Sequence, residues 1–196
     1  MIAGVILAGG LSSRMGGGDK GLALLGGKPI LAHVIARLQP QVDHLALNAN
    51  GDAARFAQFG LPVFADRRSV AKGPIGGLEA ALLWAESIGA RTLITTTADA
   101  PFIPLDLVMR LVAAEAPAVA ESNGQQHFAI AGWPVSLRAA VQDAMTTHAM
   151  FRMQDWSRRA NAKPVTWDCA SHDPFFNINT PGDLAEARRI CEAFAP

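Results

Sequence analysis

The chain predicts an α/β fold built on an open, mostly parallel sheet, with a mixed, hairpin-bearing portion in its second half. Three observations carry that reading. Short apolar, β-branched runs alternate with longer segments of helical spacing through the first hundred or so residues, the pattern that builds parallel sheets covered by helices. The first run, Ile2 to Ala8, passes directly into a glycine-rich loop. Past residue 116 the alternation breaks, because Ser122-Asn123-Gly124 is a tight hairpin signal between two apolar runs.

Composition narrows the function. The 196 residues include 17 Lys+Arg and 17 Asp+Glu, so the chain has no global field for nucleic acid or an anionic membrane surface, and anion binding must be local. The length fits one domain, residues 1–196, with a substantial core. Met1 is followed by neither a basic region nor a long apolar segment, which leaves the cytoplasm as the expected location and no membrane span. Cys169 and Cys191 lack metal-site spacing and read as ordinary reduced thiols.

The elements follow in order. After the strand, Gly9, Gly10, Gly16, Gly17 and Gly18 suggest backbone N–H groups that approach oxyanions, while Arg14 and Lys20 add fixed positive charge. Two familiar motifs fail here. Gly16 to Gly21 fits G-x-G-x-x-G, but it starts about eight residues after the strand ends and lacks the acidic partner about twenty residues on. Gly21 to Lys28 is one residue too long for a P-loop, and Pro29 stands where its Ser/Thr belongs. Pro29 at a first helical position and the spacing of Ile30, Leu31, Val34, Ile35 and Leu38 predict a helix that ends before Pro40. His33 within it takes no role, and Lys28 faces either a ligand or solvent.

His44 to Leu47 and Leu61 to Ala65 read as strands, with a brief helix through Phe59 between them. Ligands of open α/β sheets lie outside the carboxyl ends of the strands, so Asn48 and Asp66 are candidates for base or ribose contacts, against a turn or cap role. Gly73-Pro74-Ile75-Gly76-Gly77 precedes a helix from Leu78 to about Ile88, whose free N–H groups would form an anion or carbonyl site. Thr92 to Thr97 is a strand that delivers Asp99 at its end, as a magnesium ligand or as a turn cap. A helix follows from Pro104 to about Glu115, then the hairpin, then helices about Val135 to Thr147 and Met150 to Ala160. Trp133, Trp156 and Trp167 read as core residues. Arg152, Arg158 and Arg159 form a solvated face or a phosphate contact. Asn177 and Asn179 alternate along an expected last strand and would both face the crevice, ahead of a helix capped by Thr180 with Pro181 at its first position.

Leu7-Ala8-Gly9-Gly10-x-Ser12-x-Arg14-Met15-Gly16, followed by Asp19-Lys20, resembles the signature loop of nucleotidyltransferases, and Gly27-Lys28-Pro29 narrows the resemblance to the molybdenum cofactor guanylyltransferases. Asp99-Ala100-Pro101-Phe102 and Asn177-Ile178-Asn179-Thr180-Pro181 resemble the second and last signatures of that family. The resemblance implies a three-layer Rossmann-like open sheet of nucleotidyltransferase type. It implies transfer of GMP from GTP to the terminal phosphate of molybdopterin, with Mg2+ as cofactor. Lys20, Arg14 and Asp99 would be catalytic, with Asp99 on the metal. Leu7, Ala8, Gly9, Gly10, Asn48, Asp66, Gly73 and Pro74 would join Lys20 and Asp99 around GTP, and Asn177 and Asn179 would face the acceptor. Residues 1–100 would mainly hold the nucleotide and 101–196 the acceptor. Partners would be GTP, molybdopterin, and proteins that transiently supply or receive the cofactor. Cytidylyl and sugar-phosphate transfer share the fold and stay open, as does a non-catalytic GTP-binding or cofactor-carrier role.

Overall fold

The structure, a computed structural model, describes residues 1–8, 20–67, 74–115 and 117–193. Seven strands form the main sheet: β1 (Ile2–Leu7), β4 (His44–Asn48), β5 (Val63–Phe64), β6 (Thr92–Thr97), β7 (Ala118–Ser122), β8 (Gln125–Pro134) and β9 (Lys163–Trp167). Their order is β5-β4-β1-β6-β8-β7-β9. The first four are parallel, β8 is antiparallel to both β6 and β7, and β9 returns parallel to β7. The expected mostly parallel sheet with a mixed half is what forms. A separate two-stranded ribbon joins β2 (Leu24–Leu25) to β3 (Lys28–Pro29).

Side chains alternate across each strand, and the two faces of the sheet bury two different sets. Ile6, Ile94, Ala118 and Ala120 pack under helix α1 (Ile30–Leu38) and helix α3 (Leu107–Ala113). Ala3, Val5, Leu93 and Val119 pack under α2 (Ile75–Ser87), α4 (Arg138–Thr146) and α5 (Met153–Arg159). The last helix, α6 (Pro181–Ala193), closes a smaller cluster with Leu25, Ile30, Phe102 and Ile178. Trp133, Trp156 and Trp167 are all buried. The hairpin turn places Asn123 at φ 49° and Gly124 at φ 71°, the double positive φ of a two-residue turn that matches sheet twist. Among the described residues no helix is long and apolar enough to cross a membrane.

Several expectations need correction. Pro29 is not inside α1 but precedes it, extended at φ −54° and ψ 142° and paired with Leu24 in the ribbon. α2 begins at Ile75, so Gly76 and Gly77 lie within the helix and not before it. The helix expected from Pro104 starts at Leu107. Residues 176–179 form no strand. β9 was not foreseen: it is an edge strand with Pro164 inside it and mostly exposed side chains, so it lacks the apolar alternation that marks a half-buried strand.

One polar contact lies inside the sheet. The Thr95 hydroxyl, fully buried, accepts from Trp133 Nε1 at 3.2 Å and donates to Ala131 O at 3.4 Å. Thr95→Val keeps the shape and leaves a buried indole N–H without its acceptor, so urea unfolding should show a loss of about 1–3 kcal/mol.

Candidate functional site

Parallel pairing brings the carboxyl ends of the first strands level. Leu7 lies opposite Asn48 on one side and Thr97 on the other, and Asn48 lies opposite Phe64. Just beyond this row come Ala8, Asp66 and Asp99. The Ala8 N–H donates to Asn48 O at 2.8 Å and the Ala98 N–H to Leu7 O at 3.3 Å, so the main chain stays paired to the rim of the crevice.

On the β4 side, buried Asn48 organises the ends of two strands. Its Nδ2 donates to Asp66 Oδ1 at 2.9 Å and to Phe64 O at 3.3 Å. Asn50 Nδ2 donates to the other Asp66 oxygen at 3.0 Å, while the Asp66 N–H donates back to Asn50 Oδ1 at 2.9 Å. Asp66 is therefore a carboxylate already holding two amides, with roughly two of its four lone-pair directions left. Asn50, two residues after Asn48 and past the strand end, is a member of this network that sequence reasoning passed over. The Asn48 Oδ1 faces α2, where a Cβ added to Gly77 would stand 2.7 Å from it and 3.4 Å from Leu7 Cδ2. Gly77 thus makes room for the Asn48 side chain from within the helix. Pro74 is exposed immediately before α2. Glu79, buried one turn into α2, meets Arg67 Nη1 at 3.4 Å. Nothing in its Leu/Ala-rich surroundings marked it.

On the β6 side, Lys20 opens a 3-10 turn, Lys20–Leu22. Its Nζ donates to Asn179 Oδ1 at 2.6 Å across 159 residues of sequence. A Cβ on Gly21 would come 3.2 Å from Ala98 Cβ, so this turn lies directly against the end of β6. The Ile178 N–H donates to Asp99 O at 2.9 Å, and Thr97 Oγ1 donates to Asn177 Oδ1 at 3.5 Å. Lys20, Asp99, Asn177 and Asn179 are therefore gathered at one strand end, as the sequence suggested, though the two asparagines arrive on an irregular segment and not on a strand.

Asp99 Oδ1 is buried and has no hydrogen-bond partner among the described residues. A buried carboxylate oxygen left in that state is costly unless something positive meets it. A divalent ion satisfies the requirement. Among the described residues no three His, Cys, Asp or Glu side chains converge, so Asp99 would share a metal with at most one other described carboxylate. That fits magnesium, which takes one or two carboxylates and completes its shell with phosphate oxygens and water.

The segment that carries the asparagines is pinned at both ends. Asp183 Oδ2 accepts the N–H groups of Asn179 at 2.9 Å and Thr180 at 2.8 Å, and the Asp183 N–H donates to Thr180 Oγ1 at 3.1 Å, a reciprocal cap at the start of α6. The Asn179 N–H bond leads the causes that hold the Asp183 carboxyl below its usual range. A lowered carboxyl pKa means that this cap stabilises the fold above pH 3.8 and is lost as the pH falls through the depressed value. At the other end, Asp173 Oδ1 accepts from the Phe175 N–H at 2.9 Å and from Ser122 Oγ at 2.7 Å. The serine has one proton and gives it to Asp173, so His127 Nε2, 2.7 Å from Ser122 Oγ, is the donor to that hydroxyl oxygen. Burial lowers the pKa of His127, with Asp173 opposing, which suits a neutral ring in this relay.

Other expected site residues resolve as follows. Gly9, Gly10, Arg14 and Gly73 lie outside the described residues. Lys28 is exposed, and His33 Nε2 sits 2.9 Å from Leu25 O. Cys169 and Cys191 are free thiols.

An open α/β sheet whose strand ends gather an amide-bound carboxylate, a lysine and a buried aspartate oxygen unpartnered among the described residues suits an enzyme that handles phosphates. Residues 4–162 match the MobA-like NTP transferase domain, and the chain belongs to that family and is a nucleotidyltransferase. It is 45% identical over 196 residues to a molybdenum cofactor guanylyltransferase of Bradyrhizobium sp., covering 96% of this chain and 92% of the relative. To a protein of the same name from Rhodopseudomonas palustris it is 47% identical over 193 residues, covering 95% and 92%. Its fold is similar to the crystal structure of molybdopterin-guanine dinucleotide biosynthesis protein A from Archaeoglobus fulgidus, with a TM-score of 0.74, 21% identity, and 99% and 100% of the two chains covered.

The Gly77 contact yields a test. Glycine to alanine within a helix ordinarily gains up to about 1 kcal/mol. Because the new methyl would meet Asn48 Oδ1, Gly77→Ala should instead lower the melting temperature and weaken nucleotide binding in calorimetric titration.

Proposed function

We propose that the protein transfers GMP from GTP to the terminal phosphate of molybdopterin, forming the guanine dinucleotide cofactor and releasing pyrophosphate. The observation that carries this reading is the single strand-end row that joins the Asn48–Asp66 network to Lys20 and the unpartnered Asp99 oxygen. The names and near-full-length similarity of the relatives support it.

In this reading an acceptor phosphate oxygen attacks the α-phosphorus in line. The new P–O bond forms as the bond to the β-phosphate breaks, and the electron pair leaves with pyrophosphate. The barrier is largely repulsion between anions and charge developing on phosphoryl oxygens, so positioning and electrostatics are what the residues must supply. Lys20, steered by Asn179, and Arg14 hold the triphosphate. Asn48 and Asp66, with Leu7, Ala8 and Gly9, read guanosine, the remaining Asp66 lone pairs suiting the N1–H and N2–H edge. Gly10, Gly73 and Pro74 complete the nucleotide side, and Asn177 and Asn179 orient the acceptor. Asp99 would hold Mg2+, which when bound supplies positive charge to the phosphate oxygens. No covalent nucleophile is needed, because the acceptor phosphate is already an anion near neutral pH. Residues 1–100 would then be mainly the nucleotide half of one domain and 101–196 mainly the acceptor half. Proteins that supply and receive the cofactor would meet it in the cytoplasm.

Two experiments test the reading. Calorimetric titration should give tighter binding of GTP than of ATP or CTP, and equal or tighter CTP binding would reassign the reaction to cytidylyl transfer. Asp99→Asn should cut magnesium-dependent turnover by about a hundredfold or more, the scale of losing one preorganised electrostatic group, while the ligand-free melting temperature holds or rises. A destabilised but fully active variant would make Asp99 a turn cap.

A further inference from the structure

A second cavity, of about 300 Å³, lies on the flank of the molecule between α1, α6 and the segment that follows Asp99. His33 and Arg37 line it from successive turns of α1, Phe102 and His172 form a second wall, and Ile190 and Cys191 close it from the last turns of α6. Its α6 wall stands away from the strand-end row. Cys191 lies ten residues along α6 from Pro181, about 15 Å from the end that carries Asn179. Its volume is at the lower end of small-molecule sites.

The lining has one electrical sign. None of the described lining residues is acidic, and Arg37 contributes a permanent positive charge. Arg37 Nη1 donates to Ile103 O at 3.2 Å, which fixes the guanidinium against this wall. The Leu25 carbonyl can only accept, so His33 carries its proton on Nε2, and its Nδ1 is the ring's other polar atom. Phe102 and His172 meet edge to face with centroids 5.2 Å apart, and Ile190 adds aliphatic surface. The cavity therefore pairs a cationic corner with a flat apolar one. Burial and Arg37 both lower the pKa of His172 while Asp173 opposes them, and burial raises that of the Cys191 thiol.

We propose that this cavity is a second ligand site that takes a small organic anion, with one carboxylate or phosphate group against Arg37 and one flat apolar face against Phe102 and Ile190. The site stands whatever the acceptor of the transfer reaction proves to be. Pro101 and Phe102 continue the chain from Asp99 and Ala100, so an occupant would touch the wall that carries the aspartate.

The test uses protein labelled with 15N-histidine and titrated with benzoate, phenyl phosphate and, as an uncharged control, benzyl alcohol. Benzoate or phenyl phosphate should shift the ring signals of His33 and His172 saturably and benzyl alcohol should not, and the tighter of the two anions names the head group. The affinity should fall at least tenfold in Arg37→Gln and be unchanged in Lys20→Ala. Benzoate keeps one charge from pH 8 to pH 6, so its binding should tighten over that range as the anion favours the protonated form of His172, which faces Arg37 from α1, Cys191 from α6 and Asp173 beside it. Alkylation in the unaltered protein gives a readout free of any folding defect: the ligand should slow reaction at Cys191 and leave Cys169 as it was. Absence of shifts at His33 and His172, equal alkylation of Cys191 with and without ligand, or binding that is lost in Lys20→Ala and kept in Arg37→Gln would overturn the proposal.

Discussion

β1 is hydrogen-bonded on both edges by parallel strands, and the rest of the site depends on that pairing. In a parallel ladder all strands end on the same side, so the groups that follow β1, β4, β5 and β6 come together without any contact between them being required in advance. A slip of one residue would exchange the two faces of the sheet and send each side chain into a core shaped for another, because Val5 and Ile6 belong to different cores. The helix layers on both sides therefore hold the register, and the register holds Asn48, Leu7 and Thr97 in one row.

The second half of the molecule closes this row. β8 turns the sheet antiparallel, and the chain past β9 returns over the end of β6, where Ile178 bonds Asp99 and Asn179 accepts from Lys20. Irregular backbone over a crevice must find partners for its polar groups. Asp173 and Asp183 supply them from either end, one through Ser122 and His127 of the hairpin and one through the cap of α6. The asparagines are thus held by carboxylates whose oxygens are taken up in pinning the segment, while Asp99 keeps an oxygen without a partner among the described residues.

The two ends of the row differ in how completely they are paired. At Asp66 both oxygens already accept amide protons, which sets the direction of the carboxylate and leaves it preorganised for further N–H or O–H donors. At Asp99 one oxygen has no donor among the described residues. A paired carboxylate suits recognition of a neutral base edge and an unpaired buried one suits a cation, so in the proposed reaction the crevice would run from base to phosphate along the strand ends.

Much of this was legible in the residues alone. Ile2 to Leu7, Thr92 to Thr97 and the Asn123-Gly124 turn declare themselves because strand period and positive φ are properties of neighbours in sequence. The cap of α6 is equally local, with Thr180 and Asp183 three residues apart. Asp99 followed from its place just past an apolar strand. What required the folded chain was every contact between distant residues: Lys20 with Asn179, Asn48 Oδ1 against Gly77, and Asp66 between two amides. β9 also belongs here, since an exposed edge strand containing Pro164 has no pattern of its own and exists because β7 offers it a partner. Local propensity is set by each residue's own backbone and side chain, whereas these pairings are set by where the cores of two sheet faces let the strands come to rest.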